Sequence, residues 1–265
     1  MNVVVIGPRG KMGRLIAQEA NERADMHLVA GIGPKGRPYI GKDLGQVAKL
    51  GEDIGAPVLD ELQAVISDCD VIIDFSTKEM SLEVLDTAVA YRKAVVCGTT
   101  GFTEEEMASF KKAAEVIPVL YAANTSKLVN VMVKLLELAT TAIGNETDIE
   151  ILEMHDRWKT DAPSGTSKEL GEAIAAQLGS QLKDVAVYGR EGSGSRQAGT
   201  IGYHSLRAGD IPSSHTVFFG GLGERLEITH HSYNWECFAK GACDCAAYLT
   251  GKKPGFYTIK DVLAI

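Results

Sequence analysis

The sequence has few of the features that mark secreted, membrane or nucleic-acid-binding proteins. Only five of its 265 residues are cysteines, and this odd, irregularly spaced set does not suit a disulfide framework. No apolar run is long enough to span a bilayer, and the first residues carry no basic segment or cleavage site. Acidic residues outnumber basic residues 35 to 27, and the resulting net charge of −8 disfavours a nucleic-acid partner. We therefore expect a cytoplasmic protein with reduced thiols, no membrane anchor and no signal peptide.

A metal site is not predicted either. Cys243 and Cys245 lack the spacing of a zinc knuckle, and no second cysteine pair accompanies them. His230 and His231 are adjacent on a predicted strand, so their side chains point to opposite faces.

The chain begins with the pattern of a nucleotide-binding βα unit. Residues 3–6 are a continuous apolar run, typical of a buried parallel strand, and the glycine-rich segment 7–13 follows. Met12, Leu15 and Ile16 then fall at helical spacing. Glycines in such a turn let the backbone approach a pyrophosphate at the helix N-terminus. Glycines that serve only a tight turn are the alternative interpretation.

The segment after the predicted second strand, residues 27–32, bears on the choice of cofactor. It lacks the acidic residue that would bind the ribose 2′-hydroxyl of NAD. Lys35 and Arg37 follow instead, and their positive charge suits a 2′-phosphate. NADPH is therefore the favoured cofactor. The alternative interpretation is a solvated basic loop without a role in binding, which leaves NADH as a possible cofactor.

Further apolar segments extend this pattern across the first half. Residues 70–74, 94–97 and 119–121 each predict a buried strand that is followed by small polar residues. Ligands of open α/β sheets bind beyond such strand ends. Thr103 and Glu106 have the spacing of a capping box at the start of a helix.

The second half has a different pattern. A helix is predicted near residues 129–143, and strands are predicted over 148–151, 200–206, 215–219 and 225–230. Thr166 and Glu169 suggest a second capping box. We expect a second, open mixed sheet, mainly antiparallel, with a helix or two against it, before a last helix that ends at Gly251.

Residues 155–166 carry the strongest functional signal. His155 can donate or accept a proton near neutral pH, and Lys159 supplies a positive charge four residues later. Ser164, Gly165 and Thr166 then open a helix, whose free N–H groups can bind an anion. A buried structural His, a solvated Lys and plain helix capping are the alternative interpretations, but together these elements indicate a site for a small carboxylated substrate.

The motif in this segment, His-x-x-x-Lys-x-Asp-Ala-Pro-Ser-Gly-Thr, resembles the signature of the dihydrodipicolinate reductase family. Other segments resemble the same family in order along nearly the whole chain. They are residues 10–13, 74–76, 98–101, 122–126, 202–211, 223–230 and 238–242.

The resemblance implies an α/β protein with a Rossmann-like, doubly wound parallel sheet and an α+β substrate domain. Residues 1–126 with 236–265 would bind the dinucleotide, and residues 127–235 would bind substrate and form a homotetramer. A hinge near residues 126 and 236 would let the domains close. The activity implied is the NAD(P)H-dependent reduction of 4-hydroxy-tetrahydrodipicolinate in lysine and diaminopimelate synthesis.

The resemblance also implies roles for particular residues. His155 would be the general acid and Lys159 its cationic partner on a small dicarboxylate substrate. Asp156, Ser164, Gly165 and Thr166 would adjoin that substrate. Together with the glycine loop and the basic loop described above, the resemblance gives these predicted cofactor-binding residues: Gly7, Arg9, Gly10, Lys11, Met12, Gly13, Lys35, Arg37, Phe75, Ser76, Gly98, Thr99, Thr100, Ala122 and Asn124.

Two positions depart from the family pattern. Asp156 stands where many members carry a second His, and Leu128 stands where Gly is common. They leave open a paralogous NADPH-dependent reductase of another cyclic imine or keto acid. A nucleotide-sensing module without catalysis and an oxidative amino-acid dehydrogenase are weaker alternatives, disfavoured by the His155/Lys159 pair and the basic loop respectively.

Overall fold

The computed structural model describes residues 1–265, which divide into two compact units. The first unit is Met1–Lys127 with Trp235–Ile265, and the second is Leu128–Asn234. The elements in chain order are β1 Asn2–Ile6, α1 Lys11–Glu22, β2 His27–Ile32, α2 Leu44–Ala48, β3 Val58–Leu59, the 3-10 turns Leu62–Ala64 and Ile66–Asp68, β4 Val71–Asp74, α3 Lys78–Tyr91, β5 Ala94–Cys97, α4 Glu104–Ala113, β6 Pro118–Tyr121, α5 Lys127–Ile143, β7 Asp148–His155, α6 Gly165–Gln177, α7 Leu182–Val185, β8 Ala186–Tyr188, β9 Ile201–Arg207, β10 Ser213–Gly220, β11 Arg225–Ser232, α8 Glu236–Leu249, β12 Gly255–Tyr257 and α9 Ile259–Leu263.

The first unit is built on a seven-stranded parallel sheet in the order β3-β2-β1-β4-β5-β6-β12. Strand order reverses between β1 and β4, which is the switch point where open α/β sheets bind ligands. The predicted Rossmann-like sheet is confirmed. The short strands β3 and β12 and the short helices α2 and α9 carried no signal in the sequence.

Both faces of this sheet are covered, as the continuous apolar strands predict. Alternate residues of β1 enter different cores: Val3 and Val5 pack with α1 and α8, whereas Val4 and Ile6 pack with α3 and α4. The predicted capping box at the start of α4 is confirmed, with Thr103 and Glu106 bonding each other's backbone N–H.

The cysteines are all free, and four of the five are buried. Burial raises the pKa of the Cys69, Cys97, Cys243 and Cys245 thiols to about 12. These thiols are therefore protonated core side chains.

The second unit is built on a five-stranded sheet in the order β11-β10-β7-β9-β8. Strand β10 is antiparallel to both of its neighbours, but β7, β9 and β8 are parallel to one another. The prediction of a mixed sheet is confirmed. The prediction that it is mainly antiparallel is wrong, because two of its four strand pairs are parallel. The chain passes through α6 and α7 between β7 and β8, and such crossovers produce parallel neighbours.

Helices α5 and α6 cover one face of the second sheet. Leu136 of α5 and Ile174 of α6 pack on Ile151 and Val217 from the central strands, and all four side chains are fully buried. This core anchors the helix that follows the His155–Thr166 stretch. No helix in the protein has the length and apolar character needed to cross a membrane.

Candidate active site

The glycine loop between β1 and α1 is tightly closed. Gly7 has a φ of +67°, and its carbonyl oxygen accepts the Gly10 N–H at 2.9 Å. A Cβ on Gly13 would lie 2.1 Å from that same oxygen, so only glycine fits there. Gly10 is the N-cap of α1 and lies exposed beside Arg9. The loop therefore presents a helix N-terminus to solvent at the switch point, the arrangement that binds phosphate groups.

Polar groups at and just after the ends of β4 and β5 line the other side of this switch point. Gly7 approaches Ser76, whose backbone N–H donates to the Thr99 hydroxyl at 3.1 Å. The buried Asp74 carboxylate accepts the Ser76 hydroxyl at 2.5 Å, and burial raises the pKa of Asp74 despite such hydrogen bonds. Gly98 is required because the Phe75 ring lies 2.1 Å from where its Cβ would be.

The remaining predicted cofactor residues of the first unit have mixed surroundings. Lys35 is exposed and pairs with Glu61 at 2.9 Å, and Arg37 is also exposed. Ala122 and Asn124 are buried after the end of β6. Lys11 is exposed over the Trp235 ring, Met12 is half-buried, and Thr100 is exposed.

The second unit contains a buried polar row that follows from strand register. Glu153 on β7 is opposite His215 on β10, which is opposite His230 on β11. His155, two residues after Glu153, lies on the same face because strand side chains alternate. These side chains occupy one end of the helix-covered face, beyond the apolar core.

Both ring nitrogens of His155 have a close polar neighbour. Its Nδ1 lies 2.5 Å from Glu153 Oε2, and its Nε2 is hydrogen-bonded to the Ser213 hydroxyl at 2.8 Å. The ring is 8% exposed and lies edge-on to the His215 ring, with centroids 5.2 Å apart. A titratable imidazole is thus fixed at the end of β7, immediately before the 156–166 loop.

Ser164 is the N-cap of α6, which corrects the predicted Thr166–Glu169 box. The Ser164 hydroxyl accepts the Ser167 N–H at 3.1 Å and is hydrogen-bonded to His215 Nε2 at 2.9 Å. Its backbone N–H donates to Glu153 at 3.3 Å. Ser164 is 2% exposed, whereas Gly165 is exposed and has no atom within 4 Å of where its Cβ would be. Contacts with the sheet therefore decide which hydroxyl caps the helix.

His215 remains uncharged under ordinary conditions. Burial, reinforced by the neighbouring His155, lowers the pKa of His215 to about 3. The unfolded chain binds a proton near pH 6.5, so this residue stabilises the fold above that pH and loses its contribution as the pH falls towards 3.

We expect His215→Gln to weaken the acid sensitivity of the protein. When the pH falls from 7 to 5, the free energy of unfolding of the wild type decreases, and the lowered pKa of His215 accounts for about 2 kcal/mol of that decrease. Urea unfolding at the two pH values, at one protein concentration, measures this difference. An equal loss in the variant would show that His215 is not the group responsible.

The loop after β7 presents Lys159. Asp156 Oδ1 accepts the Trp158 N–H at 2.8 Å, and the Asp156 carbonyl accepts the Lys159 N–H at 3.3 Å, which closes a turn. Lys159 Nζ pairs with Asp161 at 2.8 Å, and the pKa of Asp161 is lowered by that bond. One oxygen of Asp156 is thereby tied to the loop itself.

Three of these buried groups could also hold a metal ion. Ligand atoms of Glu153, His155 and His215 all lie within 4.8 Å of one another, a set that the sequence did not suggest. The Arg207 guanidinium donates to the same Glu153 carboxylate at 2.8 Å, and its positive charge disfavours a second cation there.

Sequence reasoning missed Glu153, His215 and Ser213 as site residues. The available signal for Glu153 was its i−2 spacing from His155 on a strand. His215 and Ser213 come from β10, and only strand register brings them to His155.

Comparison with known proteins gives a consistent picture over the whole chain. Family models described as dihydrodipicolinate reductase, N-terminus and C-terminus, match residues 1–125 and 128–263. The chain is 46% identical to a 4-hydroxy-tetrahydrodipicolinate reductase from Acinetobacter baumannii over 98% of its length and 95% of the relative's. It is 43% identical to one from Alkalilimnicola ehrlichii, covering 99% and 98% of the two chains.

A solved structure agrees with these sequence matches. It is the dipicolinate-bound dihydrodipicolinate reductase from Paenisporosarcina sp. TG-14, with a TM-score of 0.79. Sequence identity to it is 27%, and the alignment covers 98% of each chain.

Proposed function

The chain belongs to the dihydrodipicolinate reductase family, and on this premise we propose that it reduces 4-hydroxy-tetrahydrodipicolinate to tetrahydrodipicolinate. The reaction belongs to lysine and diaminopimelate synthesis. The observation that carries the proposal is the 43–46% identity over nearly full length to proteins of that name. Asp156 and Leu128 are thus variations within the family, and Leu128 is 67% exposed on α5.

A reduced pyridine nucleotide supplies the hydride, and the first unit is the part that binds it. The closed glycine loop and the polar ends of β4 and β5 support phosphate and ribose binding at the switch point. All fifteen predicted cofactor residues belong to this unit. NADPH is the favoured cofactor, because β2 ends without an acidic residue and Lys35 and Arg37 follow it.

We expect Lys35→Ala with Arg37→Ala to raise the KM for NADPH about 10-fold or more, with little effect on NADH. Two charge-assisted contacts to a phosphate would be lost, and the exposed Lys35–Glu61 pair contributes little to stability. Steady-state kinetics with both cofactors measure the effect. Lys111→Ala with Lys112→Ala removes the same charge from the end of α4 and serves as control. Equal effects on both cofactors would reject the phosphate role.

The second unit provides the substrate site in this proposal. The substrate is a small dicarboxylate, and the structural relative is dipicolinate-bound. Lys159 offers a positive charge, and the exposed Gly165 with Thr166 offers the start of α6 to a carboxylate. Ser164 supports this helix start from within, and Asp156 acts by closing the turn that presents Lys159.

His155 is the proposed general acid. Reduction with loss of water consumes one hydride and one proton and releases one water molecule. The hydride comes from the cofactor, and His155 delivers the proton to the substrate atom that takes up the electron pair. Lys159 stabilises the negative charge of the substrate nearby.

The remaining elements of the proposal concern assembly and location. The face of the second sheet that α5 and α6 leave uncovered carries Leu152, Met154, Leu206 and Phe218, with Leu206 40% exposed. These partly exposed apolar side chains favour association, so we propose a homotetramer through this face, in the cytoplasm.

The decisive experiment is a cofactor-oxidation assay. The substrate is made in place by condensing pyruvate with aspartate semialdehyde, using the preceding enzyme, and NADPH or NADH absorbance is followed. Rapid oxidation supports the function and ranks the cofactors. Cofactor binding without oxidation would instead favour a paralogue that reduces another cyclic imine.

A further inference from the structure

Glu153 is the buried acid at the centre of the substrate unit, and the proposed mechanism above gives it no role. It lies on β7 with its side chain fully buried, on the same sheet face as His155. A carboxylate is rarely buried to this extent unless charged or hydrogen-bonding partners surround it.

The partners of Glu153 divide between its two oxygens. Oε1 accepts from Arg207 Nη2 at 2.8 Å and from the Ser164 N–H at 3.3 Å. Oε2 lies 2.5 Å from His155 Nδ1. Arg207 also donates to the Asp161 carbonyl at 2.6 Å. One carboxylate therefore connects β9, the start of α6 and the imidazole.

Glu153 is ionised at any pH at which the enzyme would work. Burial raises its pKa, but hydrogen bonds from His155 and Arg207 outweigh burial and lower it to about 2. A fixed negative charge therefore faces the Nδ1 side of the His155 ring.

We propose that Glu153 is a positioning residue for the reduction: it fixes the His155 ring and stabilises positive charge on it, so that the proton leaves from Nε2. This inference rests on the proposed function. When the imidazolium transfers its Nε2 proton, the ring becomes neutral and keeps the Nδ1 proton towards Glu153. A proton from solvent then restores the charged form. The same arrangement of carboxylate and imidazole orients the base in hydrolytic triads.

Other charged and polar groups lie near the His155 ring. Arg207 reaches the same carboxylate, and the Lys159–Asp161 pair follows in the loop. His215 is uncharged and Ser213 is neutral, so Glu153 is the one negative charge in direct contact with the ring.

The same strand offers a matched control. Glu150 also contacts one Arg and one His, with Arg196 Nε at 2.8 Å and His204 Nε2 at 2.8 Å. It lies on the opposite face of β7, because it is an odd number of residues from Glu153. Glu150→Gln therefore removes an equivalent charge from an equivalent network away from His155.

The test compares Glu153→Gln with Glu150→Gln. We expect Glu153→Gln to lower kcat about 10–100-fold, as loss of a partner that orients a functional side chain typically does. The alkaline limb of its pH–rate profile should move to lower pH, and the Kd for NADPH should stay unchanged. Glu150→Gln should keep the wild-type profile and kcat within about threefold.

The outcomes separate the possible explanations. A wild-type pH profile in Glu153→Gln, or an equal loss in Glu150→Gln, would overturn the inference. Loss of wild-type turnover on adding EDTA would overturn the inference in favour of a metal ion at the cluster of Glu153, His155 and His215. An inactive wild-type enzyme would reject the proposed function itself, independently of any variant.

A second variant covers the case in which Glu153→Gln does not fold. Glu153→Asp keeps the charge but withdraws it from the ring by one methylene group. We expect it to fold and keep the position of the alkaline limb, with kcat reduced about tenfold. Wild-type kcat in Glu153→Asp would then contradict a positioning role.

Discussion

Replacing His155 by Gln should lower kcat by about 10²–10⁴-fold, the usual contribution of a positioned general acid. Gln is close in size to His and retains hydrogen-bonding groups for Ser213, but it cannot deliver a proton. The Kd for NADPH should stay near the wild-type value, because every proposed cofactor residue belongs to the other unit. Steady-state turnover with NADPH, together with a fluorescence titration of cofactor binding, measures both quantities.

His204→Gln is the matched control for this variant. The His204 ring also contacts a glutamate at 2.8 Å in the same sheet, but it lies on the opposite face. Its kcat should stay within a few-fold of wild type. If His155→Gln turned over at the wild-type rate, another group would have to be the general acid, and Glu153 would have no general acid to position.

Replacing Gly13 by Ala should remove most cofactor binding. The added methyl would lie 2.1 Å from the Gly7 carbonyl oxygen and 2.7 Å from its carbon, and backbone atoms cannot rotate away. The start of α1 must then separate from the loop, which disrupts the N–H groups proposed to hold the pyrophosphate. Overpacking of this kind costs about 1–3 kcal/mol, or about 10–100-fold in affinity where it falls on the binding site.

Cofactor titration and thermal unfolding together test this prediction. Gly220→Ala serves as control, because its methyl would meet nothing closer than 3.7 Å. We expect that control to bind NADPH normally. Normal NADPH affinity in Gly13→Ala would mean that the glycine loop does not hold the cofactor.

The sequence by itself determined the elements whose signals are local. The buried strand, glycine turn and helix of residues 2–22 follow from an apolar run and from positions where a side chain cannot fit. The Thr103–Glu106 capping box is likewise a matter of four consecutive residues. The order of family motifs then identified the likeness to a reductase, because motif order is a property of the sequence alone.

Tertiary structure decided what depends on register and on neighbours distant in the chain. Strands β3, β8 and β12 are two or three residues long, so hydrogen bonds from adjacent strands define them. Ser164 rather than Thr166 caps α6, since His215 and Glu153 hold it from two other positions in the sheet. The sequence indicated His155 as a candidate general acid, but it did not indicate that the Glu153 carboxylate lies against its ring. Pairing of β7 with β9 and β10 brings Glu153, Arg207 and His215 together, and strand pairing is set by long-range packing rather than by local sequence.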